Sequence, residues 1–302
     1  MKVLILGAGA IGGYYGARLI EGGADVTFLV RKGRAEALAR SGLLVASELG
    51  DFRGGVRTLL RVDGSSNFDV VLLACKTYDL GTAMDDIAPA VAGGASVLPL
   101  LNGLAVYDRL DDRFGITRIM GGIAYIATTL NSDGAIDHLG PLDRLVIGPR
   151  HDDQVDRVFA LHAKLAAGPG LRSLSATVDQ ELWNKWVMLA AGAAVTCLMR
   201  ASVGRIMETQ YGSEVMTQAI DECASVAASS GRALSEEGLG QIRARLLDRE
   251  SAWAASMMRD IAAGAEKLEA DDIVGDMARR ALRLDLPALL MRTAFTHLQA
   301  YC

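Results

Sequence analysis

Residues 1–34 read MKVLILGAGAIGGYYGARLIEGGADVTFLVRKGR, and the fold is decided here. Val3 to Leu6 is a short apolar run, the pattern of a buried strand. Gly7, Gly9 and Gly12 follow at once in G-x-G-x-x-G spacing, with Ala10 and Ile11 between them. Ile11 to Ile20 then reads as a helix and Ala24 to Val30 as a second strand. In such a unit the first glycine allows the tight turn, the second lets backbone approach a pyrophosphate, and the third lets the helix pack on the strand. The helix N-terminus turns free N–H groups and a partial positive charge toward phosphate. A lone glycine motif is weak evidence, but this one sits after a strand and before a helix in a βαβ unit of the right size. The stretch predicts dinucleotide binding through Gly7, Gly9, Ala10, Ile11 and Gly12.

The end of the second strand selects the dinucleotide. NAD enzymes usually place an acidic residue there to hold the ribose 2′-hydroxyl. This chain continues Val30-Arg31-Lys32-Gly33-Arg34. A carboxylate would repel a 2′-phosphate, whereas a guanidinium binds it with two hydrogen bonds. NADP(H) is therefore expected, held by Arg31 with Lys32 or Arg34 assisting; Lys32 and Arg34 read equally well as solvated surface charge.

The chain has 302 residues, enough for two domains, and is 51% hydrophobic and 22% charged, as globular cores require. A net charge of −5 argues against a nucleic-acid surface, so an anionic ligand must be recruited by local cations. Cys75, Cys197, Cys223 and Cys302 are widely spaced, which supports neither a metal site nor a disulfide framework. Cys75 and Cys197 lie in apolar runs and are expected to fill core space. The N-terminus reads as a structural strand, and the apolar stretch Trp186 to Met199 is too short to span a bilayer. No membrane association and a cytoplasmic location are expected.

Strands and helices alternate through the first half. Arg34–Ser41 reads as a helix, Phe68–Ala74 and Ser96–Pro99 as buried strands, and Arg118–Met120 as the start of another. His138–Gly140 and Arg144–Gly148 read as pieces of an antiparallel portion, and Asp153–Ala167 as a helix. This predicts an α/β domain of Rossmann type with a mainly parallel, doubly wound sheet. From about Asp179 only helices are legible: Glu181–Leu198, Ser213–Ser229, Gly238–Arg249, Ala252–Ala263, Ala270–Arg283 and Pro287–Ala300. The boundary is set near residue 175, giving a dinucleotide-binding domain at 1–175 and an all-helical substrate and catalytic domain at 176–302. A cleft between the two is the expected site.

Lys76 directly follows the strand ending at Cys75, and Asn102-Gly103 follows the next strand; both lie at carboxyl ends of sheet strands, where α/β ligands bind. A solvated lysine and a plain Asn-Gly turn are the bland readings. Lys185 is the last ionisable residue before fourteen uncharged positions ending at Arg200. A lysine at the mouth of so apolar a helix is desolvated and suited to proton donation. Glu181, four residues earlier, offers a simple helix ion pair instead, and spacing leaves both readings open. Ser256 and Glu269 by themselves read as a helix serine and a helix-start acid.

At these residues the chain resembles the ketopantoate reductase (2-dehydropantoate 2-reductase) family. The resemblance runs through GAGAIGG, the Lys76 and Asn102-Gly103 segments, Glu181-Leu182-Trp183-x-Lys185, SMMRDI, EADDIVGD and LPALLMRTAFTHLQAY. It implies an enzyme: an NADPH-binding domain, a helical domain, and reduction of a 2-oxoacid, with ketopantoate giving pantoate in pantothenate biosynthesis. It further implies that Lys185 is the general acid and that Glu269 holds and tunes it. Asn102 would position substrate and cofactor, Lys76 would lie beside both, and Ser256 would bond the substrate carboxylate. The chain departs from the family pattern four and eight residues after the lysine, where members often carry asparagines and this chain has Leu189 and Ala193. The departure points to a second candidate, reduction of another branched or hydrophobic 2-oxoacid. A third, of different class, is a non-catalytic NADPH sensor. The apolar C-terminal helix could support a homodimer.

Overall fold

The computed structural model describes residues 1–64 and 67–301, so Cys302 lies outside the described residues. The chain divides into two compact units: Met1–Leu101 with Val106–Asp179, and Asn102–Ala105 with Gln180–Cys302.

In the first unit the chain order is β1 (Lys2–Leu6), α1 (Ala10–Glu21), β2 (Asp25–Leu29), α2 (Lys32–Ser41), β3 (Leu43–Ala46), β4 (Phe52–Gly54), β5 (Arg57–Leu59), β6 (Val70–Leu73), α3 (Leu80–Ala92), β7 (Ser96–Pro99), α4 (Ala105–Phe114), β8 (Gly121–Leu130), β9 (Ile136–Gly148), α5 (Val155–Ala166) and β10 (Leu171–Leu174). Strands β5-β2-β1-β6-β7 form a fully parallel sheet. Val3–Leu6 of β1 and all of β6 are apolar and buried because both faces of the sheet are covered, and β6 and β7 have no exposed position. The strand order reverses between β1 and β6, and the carboxyl ends of those two strands open a crevice there.

A second sheet, β10-β9-β3-β4 with β8 on β9, backs the first. The expected antiparallel portion is the β8–β9 pair, with β9 one continuous strand rather than separate pieces. Two segments differ from the sequence reading. Residues Ile116–Arg118 form a 3₁₀ turn, Ile119 makes a single parallel bridge to Val97, and the strand proper begins at Gly121. Leu171–Leu174, just before the boundary set near residue 175, is a strand parallel to β9. The short strands β3, β4 and β5 carried no legible pattern.

Buried polar groups tie the second sheet to α1. Asp143 on β9 accepts from the Tyr14 hydroxyl at 2.8 Å, the Tyr15 hydroxyl at 3.1 Å and Arg172 Nη1 at 2.9 Å. Burial first, and the Asp143 carboxylate with it, pushes the phenol pKa up: Tyr14 is raised and Tyr15 raised well above its ordinary range.

The second unit is helical throughout: α6 (Val178–Met199, which enters this unit at Gln180), α7 (Val203–Met207), α8 (Gly212–Ser229), α9 (Glu236–Leu246), α10 (Ser256–Ala262), α11 (Asp276–Arg283) and α12 (Leu289–Tyr301). A π-helical turn at Asp271–Gly275 leads into α11. Helix α6 has 22 residues, longer than its apolar stretch suggested, and by length and composition it could cross a membrane. Burial of 67% of its apolar window makes it the core helix of this unit.

Candidate active site

The first site element is the crevice at the ends of β1 and β6. Gly7 has φ +94°, a left-handed conformation that side chains rarely adopt. A Cβ on Gly12 would collide with the Gly7 carbonyl oxygen, so the third glycine is needed where helix meets turn. Gly9 caps α1 with no side-chain hydrogen bond, and a Cβ there would meet nothing within 4 Å, which leaves open space before the helix N-terminus. A cavity of about 360 Å³ is lined here by Gly7, Gly9, Val30, Arg31, Arg34 and Cys75, among others. Cys75 is thus half-buried on the cavity wall rather than in the core; Cys197 is fully buried, and burial raises its thiol to about 12.

Arg34 donates from Nε to the Ala8 carbonyl at 2.9 Å and from Nη1 to the Gly134 carbonyl at 3.0 Å. Its Nη2 is buried without a hydrogen-bond partner, and desolvation lowers its pKa. Arg31 extends from the residue before α2, its side chain 83% exposed and paired with Asp79 at 3.4 Å. Lys32 is exposed at the start of α2. An open helix terminus, a glycine cradle and an orphaned guanidinium N–H suit a dinucleotide phosphate and ribose. Lys76 is exposed just after β6, at the residue preceding the 3₁₀ turn Thr77–Asp79.

The second site element lies within the helical unit. Lys185 Nζ donates to Asn102 Oδ1 at 3.1 Å, across 83 residues of chain. Burial lowers the lysine pKa to about 8, and the buried Glu269 carboxylate opposes that shift. The Asn102 loop needs its glycine: Gly103 has φ +93°, and a Cβ there would stand 2.5 Å from the Asp272 carbonyl oxygen. Asp272 belongs to the π turn, whose Ile273 carbonyl accepts from Trp186 Nε1 at 3.2 Å. Three segments therefore converge: α6 with Lys185 and Trp186, the Asn102-Gly103 loop, and the stretch from Glu269 through the π turn.

Ser256 is the half-buried first residue of α10. Its place is set through Thr196, whose hydroxyl donates to the Gly192 carbonyl at 2.7 Å and lies 3.4 Å from the Ala255 N–H. Thr196 and Trp186 were missed in the sequence, where one is a small residue in an apolar run and the other a core aromatic. Leu189 and Ala193 are buried on α6, four and eight residues beyond Lys185.

Residues 3–152 match the family model described as ketopantoate reductase PanE/ApbA, and residues 177–301 match that of its C-terminal domain. The uncharacterized oxidoreductase YkpB of Bacillus subtilis is 33% identical over 305 residues, covering 100% of this chain and 99% of the relative. A 2-dehydropantoate 2-reductase of Nostoc sp. is 30% identical over 242 residues, 76% of this chain and 74% of the relative. The structure of D-mandelate dehydrogenase with NADH and anilino(oxo)acetate superposes with TM-score 0.88 over 100% of this chain and 98% of that one. At 19% identity it attests the shared fold. Both family models are matched in order across nearly the whole chain, and the chain belongs to the ketopantoate reductase PanE/ApbA family.

Proposed function

We propose that this oxidoreductase reduces 2-dehydropantoate to pantoate with NADPH, a step of pantothenate biosynthesis, in the cytoplasm. The observation that carries the reading is Lys185, a desolvated cation held by Asn102 beside the buried Glu269. When bound, the nicotinamide supplies the hydride. Lys185 Nζ delivers the proton to the substrate carbonyl oxygen, and its charge stabilises the alkoxide that develops there. Asn102 fixes the lysine and, with Lys76, the reacting groups. Glu269 keeps the lysine charged against its burial, and Ser256 bonds the substrate carboxylate. Gly7, Gly9, Ala10, Ile11 and Gly12 receive the pyrophosphate, and Arg31 the 2′-phosphate. The buried free thiols of Cys197 and Cys223 accord with a reducing compartment.

The pH dependence has a definite sign. The proton-bearing form of Lys185 persists below about 8, so turnover should fall as pH rises through that value. Glu269→Gln removes the group that opposes the downward shift, and the descending limb should move to lower pH. A pH profile of kcat for both proteins checks this; an unmoved limb would detach Glu269 from the lysine.

A second reading, reduction of a more hydrophobic 2-oxoacid, is favoured by the apolar Leu189 and Ala193. A site short of two hydrogen-bonding side chains holds a polar substrate less well, by roughly 1 kcal/mol for each lost bond. NADPH oxidation with ketopantoate beside a panel of aliphatic and aromatic 2-oxoacids decides between the two. Preference for ketopantoate supports the first; preference for another acid supports the second.

Arg31→Ala should weaken NADPH roughly tenfold or more while leaving NADH nearly as before, since a charge-assisted contact to the 2′-phosphate is lost. Equal weakening of both cofactors, measured by titration of nicotinamide fluorescence, would show that Arg31 does not read that phosphate.

A further inference from the structure

Arg31 does not stand alone at the adenosine end of the cavity. Asp79 lies 3.4 Å from its guanidinium, within ion-pair range but long for a hydrogen bond. The acid occupies the residue before α3, where such side chains usually cap the helix, yet Asp79 makes no side-chain capping bond there. Its carboxylate is directed to Arg31 instead. Asp79, Ala83 and Asp86 recur at helical spacing, and all three line the cavity. The α3 wall thus sets carboxylates opposite the cation expected to read a phosphate.

Two consequences follow from charge. To grip a 2′-phosphate, Arg31 must share its guanidinium with Asp79 or leave it, and the phosphate then lies beside a carboxylate that repels it. A ribose 2′-hydroxyl meets the opposite situation, because a carboxylate accepts a hydrogen bond from it. Dinucleotide folds that use NAD place this acceptor at the end of the second strand. That position is Val30-Arg31 here, so the acid comes from α3. Arg34 is engaged by the Ala8 and Gly134 carbonyls.

We propose that Asp79 is a selectivity-determining residue that competes with the ribose 2′-phosphate for Arg31 and accepts the ribose hydroxyl when no phosphate is present, so that the cavity admits unphosphorylated as well as phosphorylated dinucleotide. The proposal rests on the nicotinamide-cofactor reading above, but not on the identity of the 2-oxoacid.

The test uses fragments of the cofactor. Affinities for 2′,5′-ADP and 5′-AMP are measured by calorimetry on the full chain, for the wild type, Asp79→Asn and Asp79→Glu. The ratio of 2′,5′-ADP to 5′-AMP affinity is expected to rise about fivefold in D79N, as suits an exposed pair. The rise should shrink at high salt. D79E keeps the charge and should hold the ratio near that of the wild type. A ratio that is unchanged or lower in D79N, with both fragments still bound, overturns the role of Asp79 and leaves the cofactor reading intact. If the wild type binds neither 2′,5′-ADP, NADPH nor NADH, the cofactor reading fails and the proposal falls with it.

Discussion

Lys185→Ala is expected to lower kcat by about 10²- to 10⁴-fold, the usual contribution of a positioned general acid. The expectation follows from where the cation sits. Burial has moved its pKa to about 8, close enough to neutrality that the ammonium is populated and gives up its proton readily. The Asn102 amide oxygen holds Nζ at 3.1 Å, and Glu269 supplies the opposite charge. An alanine leaves the developing alkoxide without a proton or a positive charge. The loss should fall on kcat and kcat/KM alike, because the contact matters most in the transition state. NADPH affinity should change little, since the glycine cradle and Arg31 are untouched. Lys185→Arg should not restore the rate: a guanidinium does not release its proton near neutrality. Stopped-flow NADPH oxidation with a fluorescence titration of bound cofactor separates these quantities. Undiminished oxidation in K185A would remove Lys185 from the chemistry.

Asp143→Ala should be the most destabilising change of comparable size in the first unit, by about 3–5 kcal/mol. The Asp143 and Arg172 side chains are 0% and 2% exposed. Deleting the carboxylate leaves a guanidinium buried without its counter-ion and two phenols, Tyr14 and Tyr15, without their acceptor. The cost comes from the groups left behind, which gives the prediction a second arm. Asp143→Ala with Arg172→Met removes both charges, and the double variant should be more stable than D143A alone. Urea unfolding of the two single variants and the double variant closes the cycle. A loss below 1 kcal/mol in D143A would mean that the buried pair contributes little to the unit. The same change should loosen α1, whose first turn carries the glycine motif, and so raise the KM for NADPH before it alters kcat.

Much of this protein could be read from local chemistry. A turn that requires φ +94° at Gly7 and tolerates no Cβ at Gly12 leaves its mark in residue type, and therefore in the sequence. The short continuous apolar runs Val3–Leu6 and Val70–Leu73 announce a parallel sheet covered on both faces, because burial on both faces admits no alternation. Lys185 stood out because a charge next to fourteen uncharged positions has little water to rely on. The resemblance to a reductase family rests on the same short segments.

Other features exist only once the chain is folded. β3, β4 and β5 are three or four residues long, too short for a period to declare itself. Asp143 and Arg172 are 29 positions apart and meet because β9 and β10 lie parallel in register. Asn102 and Gly103 follow a strand of the first unit but pack with the helical one, where Gly103 meets the Asp272 carbonyl. Asp79 sits at the residue before α3, yet its carboxylate faces Arg31 from a different βα connection. The sequence by itself determined the backbone geometries and the buried runs, since those demands fall on single residues and their neighbours. Which polar groups share a buried site was decided by tertiary structure alone, because a hydrogen bond or ion pair between distant residues constrains their positions in space and leaves no periodic trace along the chain.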